Sequence, residues 1–210
     1  SVIPADGMIS EVSLDENMTA KFDVQIPFGR YYVKEISTDE HYVLNGEKYL
    51  VNFEYMGQDI QNVDIDCGQF VNLLKRGRIE GHKVDDKSEP LENAVFGLFA
   101  VDTAEFTSEN AYMTAVSDEN GYFEFDEIPY GEYIVREIEA PTGYILSGES
   151  YPVTVCEDGE TITIRTVNKP ITVEVSKVDV YGEELIGADM QLENADGEII
   201  DEWISDGTNH

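Results

Sequence analysis

The sequence predicts an all-β chain made of tandem two-sheet β-sandwiches, one complete and two partial. Three observations predict it: a repeat with a long period, short strand signals punctuated by turn residues, and the near absence of helix-period segments. The repeat is read directly. Ile26-Pro27-Phe28-Gly29-Arg30-Tyr31-Tyr32-Val33-Lys34-Glu35-Ile36 recurs as Ile128-Pro129-Tyr130-Gly131-Glu132-Tyr133-Ile134-Val135-Arg136-Glu137-Ile138, and the register holds at Tyr42/Tyr144, Gly46/Gly148 and Tyr49/Tyr151. A second pair, Lys83-Val84-Asp85 with Leu91 and Ala94, returns as Lys177-Val178-Asp179 with Leu185 and Ala188. The period of roughly 95 to 100 residues is a whole domain, longer than solenoid or propeller periods.

Along the chain the motifs run middle, opening, middle, opening. The expected organisation is therefore the rear part of a repeat at 1–75, a complete repeat at 76–170 and the front part of another at 171–210. Strands are expected at 123–125, 133–138, 151–155, 161–167 and 171–175, where residues alternate or are β-branched and aromatic. Turn residues separate them at Asp118-Glu119-Asn120-Gly121, Pro129-Tyr130-Gly131, Pro141-Thr142-Gly143, Asp158-Gly159 and Asp196-Gly197. About seven strands fit one repeat. Residues 104–111 are expected to form a short helix or a loop excursion.

A hydrophobic fraction of 41% supports a packed core, and no apolar run reaches the ~18 residues of a transmembrane helix. The net charge of −31 argues against nucleic acid and anionic membrane surfaces as partners. Acidic residues interleave with Tyr, Phe, Val and Ile, unlike a disordered acidic tail. Cys67 and Cys156 fall in equivalent regions of different repeats, which excludes a disulfide framework. His41, His82 and His210 lack metal-ligand spacing, and Asp64-Ile65-Asp66 does not fit a calcium loop. No metal or cofactor is expected. No Ser/His/Asp or Cys/His set suggests a hydrolase.

Strand parity singles out three residues. Ile79, Gly81 and Lys83 share a face, as do Tyr133, Val135 and Glu137, and Ile162, Ile164, Thr166 and Asn168. In the last piece Ile171, Val173, Val175 and Lys177 are in phase. A lysine, a glutamate and an asparagine thus each continue an inward row. Burying such charges alone is costly, so they are expected to meet. Parity leaves open a plain buried ion pair with a hydrogen-bonded Asn, or three residues at strand ends in water.

The motifs together resemble the Cna protein B-type domain, a prealbumin-like, Ig-like stalk module of Gram-positive surface adhesins and pilins (SpaA-type). The match runs through Lys83-Val84-Asp85, Ala94-Val95-Phe96-Gly97-Leu98-Phe99, Asp118-Glu119-Asn120-Gly121-Tyr122-Phe123, Pro129-Tyr130-Gly131-Glu132-Tyr133, Arg136-Glu137 with Ala140-Pro141-Thr142-Gly143-Tyr144, and Val167-Asn168-Lys169. The flanking pieces match its rear half through Glu35 and Asn72 and its front half through Lys177. Ser37-Thr38-Asp39-Glu40-His41-Tyr42 departs from the Ala-Pro-x-Gly-Tyr pattern.

The resemblance implies an isopeptide bond between Lys83 and Asn168, with Glu137 as its catalyst and Glu35 as the equivalent in the first piece. Desolvation would favour a neutral amine beside a protonated acid, the acid polarising the carboxamide and shuttling protons while ammonia leaves. That is single-turnover self-crosslinking, not enzymatic turnover. The implied role is a stalk segment at the extracellular cell surface, with neighbouring repeats as its partners and no membrane contact of its own. The alternative is an acidic, tyrosine-rich binding module for a host protein or glycan, which saturable binding by residues 76–170 would reveal. The first piece carries Glu35 and Asn72, the last carries Lys177, and as complementary halves they predict head-to-tail self-association.

Overall fold

The computed structural model describes residues 6–58 and 63–210. Contacts divide the chain into two compact units, Ser1–Lys75 and Arg76–His210. In the first, β1 (Gly29–Val33) and β2 (Tyr49–Phe53) form an antiparallel pair. In the second, nine strands follow: β3 (Arg76–Asp85), β4 (Val95–Ala100), β5 (Met113–Val116), β6 (Tyr122–Pro129), β7 (Gly131–Glu139), β8 (Ser150–Val155), β9 (Thr161–Asn168), β10 (Asp189–Glu193) and β11 (Ile199–Ile204). The described residues are all-β.

Residues 76–170 supply seven strands in two sheets, ordered β6-β3-β9 and β5-β4-β7-β8. The four-stranded sheet is antiparallel throughout. In the other, β3 pairs antiparallel with β6 and parallel with β9, so the first and last strands of the sandwich run side by side. Their inner faces interdigitate through Ile79, Phe96, Leu98, Phe123, Phe125 and Val135, all essentially inaccessible. Phe96 stacks on Phe123 with ring centroids 3.8 Å apart. Tyr133 and Tyr151 also pack against this core rather than forming a tyrosine face.

Gly81 and Gly121 explain how the lysine strand fits. A Cβ on Gly81 would lie 2.0 Å from the Phe123 ring, so the bare backbone makes room for that ring over the strand. Gly121 has φ +72° and accepts a hydrogen bond from the Lys83 N–H at 2.7 Å. A Cβ there would lie 2.1 Å from the Lys83 carbonyl oxygen. Gly121→Ala is therefore expected to cost about 1–3 kcal/mol for the left-handed backbone alone, with the clash added. A thermal melt of the variant checks it; an unchanged midpoint would contradict the fit.

The expected strands at 123–125, 133–138, 151–155 and 161–167 all lie within β6 to β9. Of the two alternatives at 104–111 the structure has the loop excursion, as turns and bends. One expectation fails. Residues 171–175 form no ladder, and the inward phase expected there is absent, with Ile171 and Val173 57% and 75% exposed. The reason is hydrogen bonding. Their counterpart β3 is held between β6 and β9, whereas among the described residues 171–175 has backbone partners only at its ends, Gly143 for Ile171 and His210 for Val175. The counterpart of β9 in the first unit, residues 65–72, likewise forms no ladder. The β1–β2 pair keeps the register of β7–β8, with Gly29↔Phe53 and Val33↔Tyr49 matching Gly131↔Val155 and Val135↔Tyr151.

Candidate functional site

The three residues singled out by parity meet in the core of residues 76–170. Lys83, Glu137 and Asn168 are 0%, 3% and 1% exposed. β3 brings Lys83 inward from the centre of its sheet, β7 brings Glu137 from the opposite sheet, and β9 brings Asn168 beside β3. In the parallel register Lys83 faces Thr166 and Asn168 faces Asp85, two residues further on. A lysine stem spans such an offset along a strand; a shorter side chain would not.

Lys83 Nζ donates to Asn168 Oδ1 at 2.7 Å. Asn168 Nδ2 donates to Glu137 Oε1 at 2.8 Å. Lys83 Nζ lies 3.6 Å from the same Glu137 oxygen. The other glutamate oxygen, Oε2, accepts from the Ser147 backbone N–H at 2.8 Å. Glu137 is thus fixed at both oxygens, facing the amine on one side and the carboxamide nitrogen on the other. Burial pushes the Lys83 pKa below the ordinary lysine value, against the opposing pull of the Glu137 and Glu149 carboxylates. A depressed pKa raises the share of neutral amine, the nucleophilic form.

Chemically, this geometry suits acyl transfer from nitrogen to nitrogen. The amine sits against the carboxamide, and Glu137 stands where a proton leaving Nζ can be passed to the departing Nδ2. No water-exposed path competes for the carboxamide carbon, because all three side chains are buried.

Two participants were not legible from residue type. Ser147 acts through its backbone N–H, and Asn45 does the same to Glu35 at 2.7 Å in the first unit, so the side chain carries no signal. Thr166, directly across from Lys83, buries a hydroxyl with no hydrogen-bond partner. Thr166→Val, which removes that orphan at similar volume, is expected to be neutral or stabilising by up to about 1 kcal/mol. A clear loss in a urea titration would instead assign the hydroxyl a partner.

The remaining candidates lie outside this core. Asn72 Nδ2 donates to both Glu35 oxygens at 2.9 Å and to Thr38 Oγ1 at 2.6 Å. Lys177 is half-buried, and its carbonyl accepts from the Leu185 N–H at 2.8 Å. Cys67 is half-buried and Cys156 is exposed. Among the described residues no group of three or more His, Cys, Asp or Glu is placed to hold a metal ion. Trp203 stacks on His210 at 4.2 Å.

Comparison with known proteins agrees with this architecture. Residues 77–170 match the SpaA family, described as a prealbumin-like fold domain. The chain is 24% identical over 187 residues to a collagen adhesin of Staphylococcus aureus, covering 80% of this chain and 16% of that protein. It is 32% identical over 90 residues to the trypsin-resistant surface T6 protein of Streptococcus pyogenes serotype M6, covering 42% of this chain and 15% of that one. Among solved structures, the Bacillus anthracis TIE protein aligns at a TM-score of 0.60 and 26% identity, over 88% of this chain and 34% of that chain. The chain thus spans a minor part of each.

Proposed function

We propose that this chain, whose residues 77–170 match the SpaA prealbumin-like family and which is similar to a collagen adhesin and a surface protein of Gram-positive bacteria, is a stalk segment whose core is sealed by an isopeptide bond. The bond joins Lys83 to Asn168 and forms without an external enzyme, Glu137 moving the protons. The homology supports an extracellular, cell-surface location. Ligand recognition belongs elsewhere in this reading, since residues 76–170 offer a closed sandwich in which Tyr133 and Tyr151 pack against the core.

The observation that carries the reading is the buried relay from Lys83 Nζ to Asn168 Oδ1 at 2.7 Å and from Asn168 Nδ2 to Glu137 Oε1 at 2.8 Å. Lys83 and Glu137 stand 3.6 Å apart, within ion-pair range, with the carboxamide hydrogen-bonded to each of them, so the nucleophile, the acyl group and the proton carrier are in mutual reach. In the reaction the neutral Lys83 amine attacks the Asn168 carboxamide carbon. Glu137 takes a proton from Nζ and delivers one to Nδ2, the carbon–nitrogen bond to Nδ2 breaks, and ammonia departs. Reactants pre-placed by the fold supply much of the acceleration.

The bond joins adjacent parallel strands across a sequence separation of 85 residues. A pull on the two ends of the sandwich then loads a covalent link before the hydrogen-bonded ladders, and reduction does not release it. Intact-mass measurement tests the proposal: the purified chain should be lighter than its sequence mass by one ammonia, with the deficit in a peptide linking Lys83 to Asn168. A full sequence mass would overturn it.

A further inference from the structure

Besides Lys83, Glu137 and Asn168, two polar side chains are buried in residues 76–170, those of Ser117 and Thr166. Ser117 is committed: its hydroxyl donates to the Leu91 carbonyl at 2.8 Å and accepts from the Ala94 N–H at 2.9 Å. Thr166 is not. It is 1% exposed, and its Oγ1 is the one buried side-chain nitrogen or oxygen among the described residues that makes no hydrogen bond. A buried hydroxyl left unpaired is a cost to the fold that a valine of the same shape would avoid.

That hydroxyl stands beside the reacting groups. Thr166 lies directly across from Lys83 in the parallel β3–β9 register, and two residues before Asn168 on the same buried face of β9.

Attack changes what the carboxamide oxygen needs. In the unreacted arrangement Asn168 Oδ1 accepts from Lys83 Nζ at 2.7 Å, and among the described residues no other donor reaches it. When the amine lone pair bonds to the carboxamide carbon, Nζ is no longer a donor to Oδ1, and an electron pair of the C=O bond moves onto that oxygen. The oxygen thus loses its hydrogen bond as it becomes negative. Glu137 is engaged elsewhere, with Oε1 on the two nitrogens and Oε2 on the Ser147 N–H. An oxyanion without a donor in a core closed to water is expensive.

We propose that the Thr166 hydroxyl is the oxyanion donor of this centre. It keeps its proton throughout, donating a hydrogen bond to Oδ1 while that oxygen carries the charge. When the electron pair returns to the carbon, the bond to Nδ2 breaks and ammonia leaves with the proton that Glu137 delivers. The hydroxyl then donates to the carbonyl of the new amide. An orphan in the unreacted fold is in this way paired only along the reaction, which lowers the barrier without strengthening the starting state. The proposal rests on the Lys83–Asn168 reading and adds the group that acts on its oxygen.

The full chain, made by cell-free translation and followed by intact mass from the end of synthesis, gives the rate of ammonia loss. Mildly acidic buffer, in which less of the Lys83 amine is neutral, keeps the chemistry slower than folding. Thr166→Val should lose ammonia roughly 10²-fold more slowly than the unchanged chain, the scale for removing one oxyanion donor. Thr166→Ser, which keeps the hydroxyl, should run near the unchanged rate. In the Asn168→Ala background, where no bond forms, Thr166→Val should leave the urea midpoint unchanged or raised. Thr166→Val as fast as the unchanged chain, or Thr166→Ser as slow as Thr166→Val, would overturn the donor and leave the bond standing. A slow Thr166→Val whose urea midpoint falls in the Asn168→Ala background would overturn it too, by assigning the hydroxyl to the fold. An unchanged chain that never loses ammonia would overturn the bond itself, and the donor with it.

Discussion

Asn168→Ala is expected to keep the fold of residues 76–170 while returning the chain to its full sequence mass and lowering its stability steeply. Closing a loop across 85 residues is worth about 4–5 kcal/mol on the chain-entropy model, so losing the bond removes about that much. For a domain of this size the thermal midpoint should fall by roughly 20 °C or more. Lys83→Met, which keeps a flexible stem of similar bulk without the amine, is the matched control and should give the same mass result. Single-molecule pulling reads the same difference as length. Without the bond, unfolding releases the enclosed chain, roughly 280–300 Å at full extension. With the bond, that release is absent. Wild-type and Asn168→Ala chains with equal masses, or with equal contour gains, would show that no bond forms.

Glu137→Gln should fold, keep the shape of the site, and form the bond far more slowly. The amide retains a carbonyl oxygen to accept from the Ser147 N–H or from Asn168 Nδ2. What it loses is the ability to take and return a proton, and positioned acid–base groups contribute roughly 10²–10⁴-fold. Freshly purified variant should therefore be mostly at full sequence mass, and timed mass spectra should show the deficit growing slowly if at all. Glu137→Ala should block the bond as well, leaving Lys83 buried beside a void. Complete ammonia loss in freshly prepared Glu137→Gln would mean that another group moves the protons.

Much of this site could be read from the linear chain, because two-residue alternation along a strand is a local property. Ile79-Gly81-Lys83, Tyr133-Val135-Glu137 and Ile164-Thr166-Asn168 each place a polar group in an apolar row, and the burial of Lys83, Glu137 and Asn168 follows those rows. The same logic failed at 171–175. Alternation there is as clean as in β3, yet a strand needs neighbours along its whole length to satisfy its backbone, and among the described residues this stretch pairs only at its ends, Ile171 with Gly143 and Val175 with His210. Residues 104–111 were ambiguous between helix and loop because their composition favours neither, and the structure makes them turns.

The sequence by itself determined the all-β class, the long-period repeat, and the three polar residues that continue inward-facing rows. These follow from periodicity and from the cost of isolating charge, both of which act along or within a single strand. Only the tertiary structure decided that β3 and β9 lie side by side and parallel, and that the offset of two residues in their register sets the Lys83 amine against the Asn168 carboxamide. It also decided that the carboxamide is hydrogen-bonded to both charged partners, and that a backbone N–H from Ser147 fixes the glutamate. Strand order and register depend on contacts between residues far apart in the chain, and parity is blind to them: a strand presents the same inward face whichever neighbour it pairs with.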